Sequence, residues 1–444
     1  MKHTIPSTAA ILFAWSSALG APMAPAAELP SQLDLRGAIV YALDHNYAIR
    51  QARETIRLQE GIILQVQGQQ LPNLGAQGQW QRNEASISQS YPQTNSNWGI
   101  ELKATQALFA GGGIQSAVKG AKLTRDAATY DLQTSIDSAL LDVRTKFYNV
   151  LLAREKIRVE EENVKLYEHQ LEDTKNQFDT GTVSNFEVLT AQVQLANAEP
   201  PLITARNGYR LAIDQLRQSL GYSNTTPGNV DKIPTFAGSL DVTPATYDLE
   251  KAIETARAQR PELQRLATLE DADKENVVIS EAGGRPSVAL VGSYQYFQNL
   301  LPGAPNQTFD GWTVGLQGSW AIFDGEATQG RVAQPKSQLE QARLTRLNQT
   351  LAIEVQVRAA VSSLQQAAEL VAAAQQVVGQ AEEALRLANA RFAAGTATQL
   401  DVLTADVART QARYNQLSAN YNYNVALATL RTAIGEADAY APTQ

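Results

Sequence analysis

The sequence predicts a mainly α-helical chain with transmembrane β-strands. A long coiled-coil body and four strands per chain are built from two internal structural repeats, and the barrel closes only when several copies assemble. Three observations predict this. First, the stretch Phe178-Asp179-Thr180-Gly181-Thr182-Val183-Ser184-Asn185-Phe186-Glu187-Val188-Leu189-Thr190-Ala191 returns as Phe392-Ala393-Ala394-Gly395-Thr396-Ala397-Thr398-Gln399-Leu400-Asp401-Val402-Leu403-Thr404-Ala405. The offset, 392 − 178 = 214, also relates Leu35 to Leu249, Pro72 to Pro286, Trp98 to Trp312, Phe109 to Phe323 and Gly221 to Gly435. A register held without a gap over that distance means two copies of one fold, not two helical stretches that share a turn by chance. Second, Ile114 to Thr180 contains no proline and one glycine, Gly120. Third, four segments of about ten residues alternate apolar and polar side chains, as strands between lipid and water do.

Residues 1–27 read as a signal peptide. Lys2 and His3 lead an apolar run from Ala9 to Leu19, and small residues at Ala24, Ala26 and Ala27 supply a cleavage site. The run is too short to span a bilayer as a helix, and no later run is longer. The sequence has no cysteine, which excludes disulfides, thiolate metal sites and a lipid-modified N-terminal Cys. A net charge of −8 with interspersed signs gives nucleic acid no basic surface to bind.

Repeat 1 spans 28–221. From Leu33 to Leu71, Leu35, Ala38, Ile39, Ala42 and Leu43, then Ile49, Ala52, Ile56, Ile63 and Val66, recur at helical spacing. One long helix is expected, ended by Leu71-Pro72 because the residue before proline avoids the α region. The period then becomes two. Over 73–83, Leu74, Ala76, Gly78 and Trp80 alternate with Gly75, Gln77, Gln79 and Gln81. Over 97–107, Trp98, Ile100, Leu102 and Ala104 alternate with Gly99, Glu101, Lys103 and Thr105. Trp80 and Trp98, at the loop ends, suit the aromatic girdle of a membrane barrel.

Phe109 and the glycines 111–113 then turn the chain. They lack the Gly-Lys-Ser/Thr ending of a phosphate loop. The helix that follows carries an apolar seam of Ala139, Val143, Phe147 and Val150, and about 67 residues at 1.5 Å rise reach roughly 100 Å. A globular domain rarely holds such a helix, whereas a coiled-coil assembly does. A tip at 181–184 turns it back, with Gly181 where positive φ is needed. The returning helix is expected to kink or break at Pro200-Pro201.

Residues 222–248 link the halves. Repeat 2, residues 249–435, repeats the order. Its strands are 286–297 (Val288, Leu290, Gly292, Tyr294 and Tyr296 facing lipid) and 311–321 (Trp312, Val314, Leu316 and Gly318 facing lipid). Tyr294 and Trp312 complete the candidate girdle. A long helix from about Ala327 to Ala394 carries Ile353, Val357, Val361 and Leu364, the second tip lies at 395–398, and 436–444 is a tail.

Four strands leave open edges that lipid cannot satisfy. Closure therefore needs several chains. Two would give eight strands, whose interior side chains fill, whereas three give twelve. A homotrimer embedded in outer-membrane lipid is the expectation.

This order of strand pairs, very long helices and paired Gly-Thr tips resembles the TolC-like outer-membrane efflux family over about Leu33 to Gly435. The resemblance implies a trimeric tube with a 12-stranded β-barrel in the outer membrane and an α-helical barrel crossing the periplasm. It implies the exit duct of a tripartite efflux or type I secretion system, joined to a periplasmic adaptor and an inner-membrane transporter of RND, ABC or MFS type. It makes Gly181, Thr182 and Val183, with Gly395, Thr396 and Ala397, the adaptor-facing tips. Asp401 falls at one of two acidic positions of the periplasmic constriction and Thr404 at the other, while Glu187 is the repeat partner of Asp401. The Arg-and-Tyr latch of some members is not matched, since those positions are Ala397 and Phe392.

No enzyme is expected, and no cofactor or metal. His45 and His169 stand alone in helical patterns. The acidic runs Glu160-Glu161-Glu162 and Glu270-Asp271-Ala272-Asp273 read as exposed helix faces. Glu187 and Asp401 have a bland reading too, as first-turn acids favoured by the helix dipole. The competing function is a non-conducting periplasmic coiled coil with a structural or adhesive role. It accounts for the helices but not for four alternating strands with matched tryptophans.

Overall fold

A computed structural model describes residues 31–82, 96–222, 234–299, 307–438 and 440. The expected signal peptide, most of both strand-connecting loops, part of the linker and the end of the tail lie outside these residues. In chain order the elements are β1 (Gln32–Leu33), α1 (Leu35–His45), α2 (Tyr47–Gln67), a short 3-10 turn (Gly68–Gln70), β2 (Asn73–Arg82), β3 (Ser96–Ala110), α3 (Gly113–Asp179) and α4 (Asn185–Leu220). There follow β4 (Thr235–Phe236), α5 (Leu249–Gln259), α6 (Pro261–Ala282), β5 (Ser287–Asn299), β6 (Gln307–Ser319), α7 (Ala327–Ala393) and α8 (Gln399–Ile434). Both ends of α3 and α4 coincide with those of α7 and α8 at the 214-residue offset. α3 and α7 have 67 residues each, and α4 and α8 have 36 each.

The single helix expected over 33–71 is two helices. Asn46 is extended (φ −60°, ψ 128°), and its Oδ1 accepts from the N–H groups of Ala48 and Ile49 at 2.9 and 3.3 Å. Its Nδ2 donates to the Ser219 carbonyl at 2.6 Å, so a contact 173 residues away holds the break. In repeat 2 the counterpart break falls at Arg260, and Pro261 opens α6 as its first residue, where a missing N–H costs nothing. Asn46→Ala removes a cap and leaves a buried carbonyl unpaired. It should cost about 2–4 kcal/mol, read as easier chemical unfolding in detergent, with Asn46→Asp intermediate. Unchanged unfolding would remove Asn46 from this role.

The break expected at Pro200-Pro201 is absent, and α4 runs through both prolines. Both are exposed, as are Ala196 and Asn197, whose carbonyls the prolines leave without N–H partners. Exposed carbonyls can bond water instead, which lowers the cost of an internal proline. Pro335 also lies inside α7 and is itself buried, while Arg331, whose carbonyl it leaves without an N–H partner, is exposed.

The helices form two hairpins, α3 with α4 and α7 with α8, and α3 also packs along α8. Each hairpin has its own core. One gathers Ala139, Val143, Phe147 and Val150 with Ile39, Ile213 and Leu216. The other gathers Ile353, Val357, Val361 and Leu364 with Tyr423 and Leu430. α2 lies on α3, whereas α6 lies between α3 and α7. Beside the first core, β1 pairs in parallel with β4, and Phe236 meets Phe147 edge to face at 6.1 Å. After α8 the chain returns to α3, where Arg144 makes a two-pronged ion pair with Asp438, both bonds 2.7 Å.

Two acidic positions expected on exposed faces are buried. Glu160 accepts from the Tyr414 hydroxyl of α8, and Glu270 pairs with Arg343 and Arg346 of α7. Burying a polar group without partners is costly, and a buried charge needs opposite charges such as the two arginines give Glu270. Burial pushes the Glu270 pKa up, but the two arginines outweigh it and the net shift is downward.

Candidate functional site

The four long strands form one antiparallel sheet in the order β2-β3-β5-β6. Their extents differ slightly from those expected. β3 continues to Ala110 and β6 stops at Ser319, beyond which the Trp320 indole donates to the Gly284 carbonyl at 3.1 Å. Ladder partners point to the same face of a sheet. Ala76↔Leu102↔Tyr294↔Trp312 and Trp80↔Trp98 therefore line one face, with Leu290↔Leu316. The opposite face carries Glu101, whose carboxylate accepts from the Gln295 amide at 3.0 Å, and Ser293, hydrogen-bonded to Thr313 at 2.9 Å. The sheet is thus apolar on one side and polar on the other.

A register shift between Ala107 and Phe109 then puts Phe109 opposite Val288, on the apolar face. A bulge of this kind re-aims the side chains beyond it. Phe109, Trp320 and Phe323 are exposed at the helical end of the sheet, opposite the tryptophans at the loop end. Sequence reading saw Phe109 and Phe323 as exits from the strands and did not single out Trp320. Their gathering at the helical end of the sheet was signalled only by their being a strand-length away from the tryptophans at the loop end.

At the other end of the hairpins, each tip is a Schellman turn followed by a capping box. The Thr182 N–H donates to the Gln177 carbonyl and the Gly181 N–H to that of Phe178, both at 2.8 Å. In the second tip Thr396 donates to Arg391 and Gly395 to Phe392, both at 2.9 Å. This turn needs a left-handed residue, and Gly181 and Gly395 supply it with φ of 74° and 73°. Val183 and Ala397 follow, half-buried. Ser184 and Thr398 then cap α4 and α8, with Glu187 and Asp401 reaching back to their backbone N–H groups at 3.1 and 2.7 Å.

The capping bonds set the charge of both acids. The Ser184 hydroxyl holds Glu187 below the usual carboxylate range. The Thr398 backbone N–H, then its hydroxyl, does the same for Asp401. A depressed pKa means the charged cap is present above the ordinary carboxylate range and is lost only in acid below it. Thr404 is exposed, with its hydroxyl bonded to the Leu400 carbonyl at 2.8 Å. Beside the tips, Phe186 and its counterpart Leu400 are exposed. Sequence reading passed over this pair, although apolar residues one step inside a capped helix start were visible.

Higher up, α3 and α8 share a polar seam. The Tyr167 hydroxyl donates to Asp406 at 3.1 Å, Arg409 pairs with Asp406 at 2.9 Å, and Thr410 bonds Asn163 at 3.1 Å. Burial, then the Asp406 charge, pushes the Tyr167 pKa up to about 12. Among the described residues no cluster of ligating side chains fits a metal, and no helix is long and apolar enough to cross a membrane.

Known proteins share this architecture. The chain is 26% identical over 306 residues to the outer membrane protein TolC of Vibrio cholerae serotype O1, covering 67% of each chain. It is 24% identical over 402 residues to the outer membrane efflux protein BepC of Brucella suis biovar 1, covering 87% of this chain and 83% of the relative. The crystal structure of the Campylobacter jejuni CmeC outer membrane channel superposes with a TM-score of 0.76 at 15% identity, over 90% of this chain and 85% of that one. A match to the outer membrane efflux proteins covers residues 38–222 and again 252–436, the spacing of the internal repeat. Both halves of the chain are therefore accounted for by one family: the chain belongs to the outer membrane efflux proteins and is an outer-membrane exit duct that extends into the periplasm.

Proposed function

We propose that three copies form one tube through which an inner-membrane transporter, of RND, ABC or MFS type, delivers its substrates by way of a periplasmic adaptor. The observation that carries this reading is the four-stranded sheet. Its outer strands, β2 and β6, each keep one unpaired edge among the described residues, and its apolar face needs lipid. Unpaired amides are not tolerated in a bilayer, so strands of other copies must close the barrel, and three copies give twelve strands. In this reading residues 1–27 are removed on export, and 28–221 and 249–435 each furnish half of a protomer, joined by 222–248. Trp80, Trp98, Tyr294 and Trp312 anchor the outer rim in the membrane interface.

The tips Gly181-Thr182-Val183 and Gly395-Thr396-Ala397 are the adaptor contacts, and Asp401, with Thr404 and Glu187 near it, lines the periplasmic mouth. Three Asp401 carboxylates around one axis would repel each other and attract cations, in a field focused by low-dielectric walls. The capping bonds support a fixed negative charge there, because they keep the acid ionised. Mass measurement in detergent should give three chains. In planar bilayers Asp401→Ala should lower cation preference and weaken block by multivalent cations, with Glu187→Ala doing less. A stable water-soluble monomer would end the channel reading. Unchanged selectivity in an intact Asp401→Ala trimer would leave that acid a helix cap alone.

A further inference from the structure

α4 and α8 end alike. Gly221 and Gly435 are left-handed, with φ of 73° and 75°, and the next N–H, of Tyr222 or Glu436, donates to the Arg217 or Arg431 carbonyl at 3.0 or 2.9 Å. Beyond this turn the repeats part: Asp438 and Tyr440 stand where repeat 1 has Asn224 and Thr226.

Asp438 enters a groove between α3 and the end of α8. Both its oxygens accept from Arg144, at 2.7 Å each, and the two side chains are only 13% and 11% exposed. A two-pronged bond between opposite charges is both strong and directional. Arg431 of α8 and Asp137 of α3 line the same groove, so without the tail it sets two arginines against one carboxylate. The Tyr440 N–H donates back to Asp438 at 2.9 Å, and its ring lies 5.3 Å from the Arg144 guanidinium. Carboxylate and ring therefore engage one arginine together.

The internal repeat provides a control. Arg358 of α7 is the counterpart of Arg144, since 144 + 214 = 358. It is exposed and joins no ion pair among the described residues. Arg144 differs in having the tail, and a buried arginine needs such an opposite charge. Chain ends are poorly ordered unless something ties them down, and here the tie is one ion pair and one ring. The linker between the repeats makes a similar crossing. Arg154 of α3 donates to the Phe236 and Gly238 carbonyls at 2.7 and 2.8 Å, while Asn424 and Tyr423 of α8 donate to those of Leu240 and Thr243 at 3.3 and 3.0 Å. Arg154 lies roughly 15 Å along α3 from Arg144.

We propose that this groove is a binding site for an acidic peptide with an aromatic residue two positions after its carboxylate, that the chain's own tail fills it, and that the bound tail is a second strap across the joint between the repeats. The site selects its occupant by charge and by the two-pronged fit to Arg144. A tethered tail acts at an effective concentration on the order of millimolar, so a free peptide gains the groove only when the tail has lost its carboxylate.

Full-length protein in detergent and a labelled peptide of residues 436–444 test this. The peptide is expected to bind the Asp438→Ala protein saturably, and roughly tenfold or more tighter than it binds the unaltered protein, whose tail holds the site. Adding Arg144→Gln to Asp438→Ala should weaken that binding roughly tenfold or more. Replacing both partners of a buried bond is close to neutral, so the double variant keeps its fold. An Asp438→Asn peptide should bind the Asp438→Ala protein as poorly as the natural peptide binds the double variant. No binding to Asp438→Ala, or equal binding to all three proteins, overturns the site. Carboxypeptidase reads the strap without an added ligand. Trimming of the unaltered protein should halt before Asp438, whereas the Asp438→Ala tail should be trimmed to Glu436 roughly tenfold or more faster. Equal trimming of the two overturns the strap.

Discussion

Arginine at Leu102 or Leu316 is expected to abolish the outer-membrane trimer, whereas arginine at Glu101 or Gln317 leaves it in place. Leu102 and Leu316 are repeat counterparts, exposed on the apolar face of the sheet. An arginine near the bilayer midplane on the lipid face costs roughly 2–4 kcal/mol. A trimer carries each substitution three times at one depth, so the burden is roughly 6–12 kcal/mol per barrel, comparable to the whole stability of a typical domain. Glu101 faces the other way, where Gln295 bonds it and where water can solvate a new charge. Trimer recovered from outer-membrane fractions, compared across the four variants, decides the matter. Equal recovery of all four would mean that the apolar face does not meet lipid, and loss of only the Glu101 and Gln317 variants would mean that the faces are assigned the wrong way round.

Replacing both tip glycines, Gly181→Val with Gly395→Val, should abolish export while the trimer remains inserted. Both residues hold φ near 74°, a conformation that costs an L-residue roughly 1–2 kcal/mol and a β-branched one more. Nothing lies within 4 Å of a Cβ at either position, so the damage comes from the backbone and not from a clash. The Schellman bonds would open, and the capping boxes three residues on would lose their alignment. The sheet lies at the other end of the hairpins and should assemble as before. Gly→Asn at the same positions tolerates positive φ better and should retain most export. A strain with this chain as its sole duct, assayed for export and for trimer content, separates the two effects. Full export by the double valine variant would remove the tips from the mechanism.

The sequence by itself determined the features that rest on local periodicity. The offset of 214 paired the halves. The switch from helical spacing to alternation located the four strands, and Gly181 and Gly395 marked the turns, because side-chain period and backbone φ are set within a few residues. The candidate acids were legible in the same way, since Ser184-x-x-Glu187 and Thr398-x-x-Asp401 are capping patterns written in four consecutive residues. Tertiary structure decided whatever depends on a distant partner. The break at Asn46 is held by Ser219, and the burial of Glu160 and Glu270 depends on Tyr414, Arg343 and Arg346 from other helices. An acidic run carries no sign of the arginines that will surround it. Continuity of α4 through Pro200-Pro201 turned on exposure, which leaves the freed carbonyls accessible to water. The bulge after Ala107, which turns Phe109 to the apolar face, exists only as a register between β3 and β5. Each of these is a contact between segments far apart in the chain, and only the folded arrangement of the helices and strands specifies it.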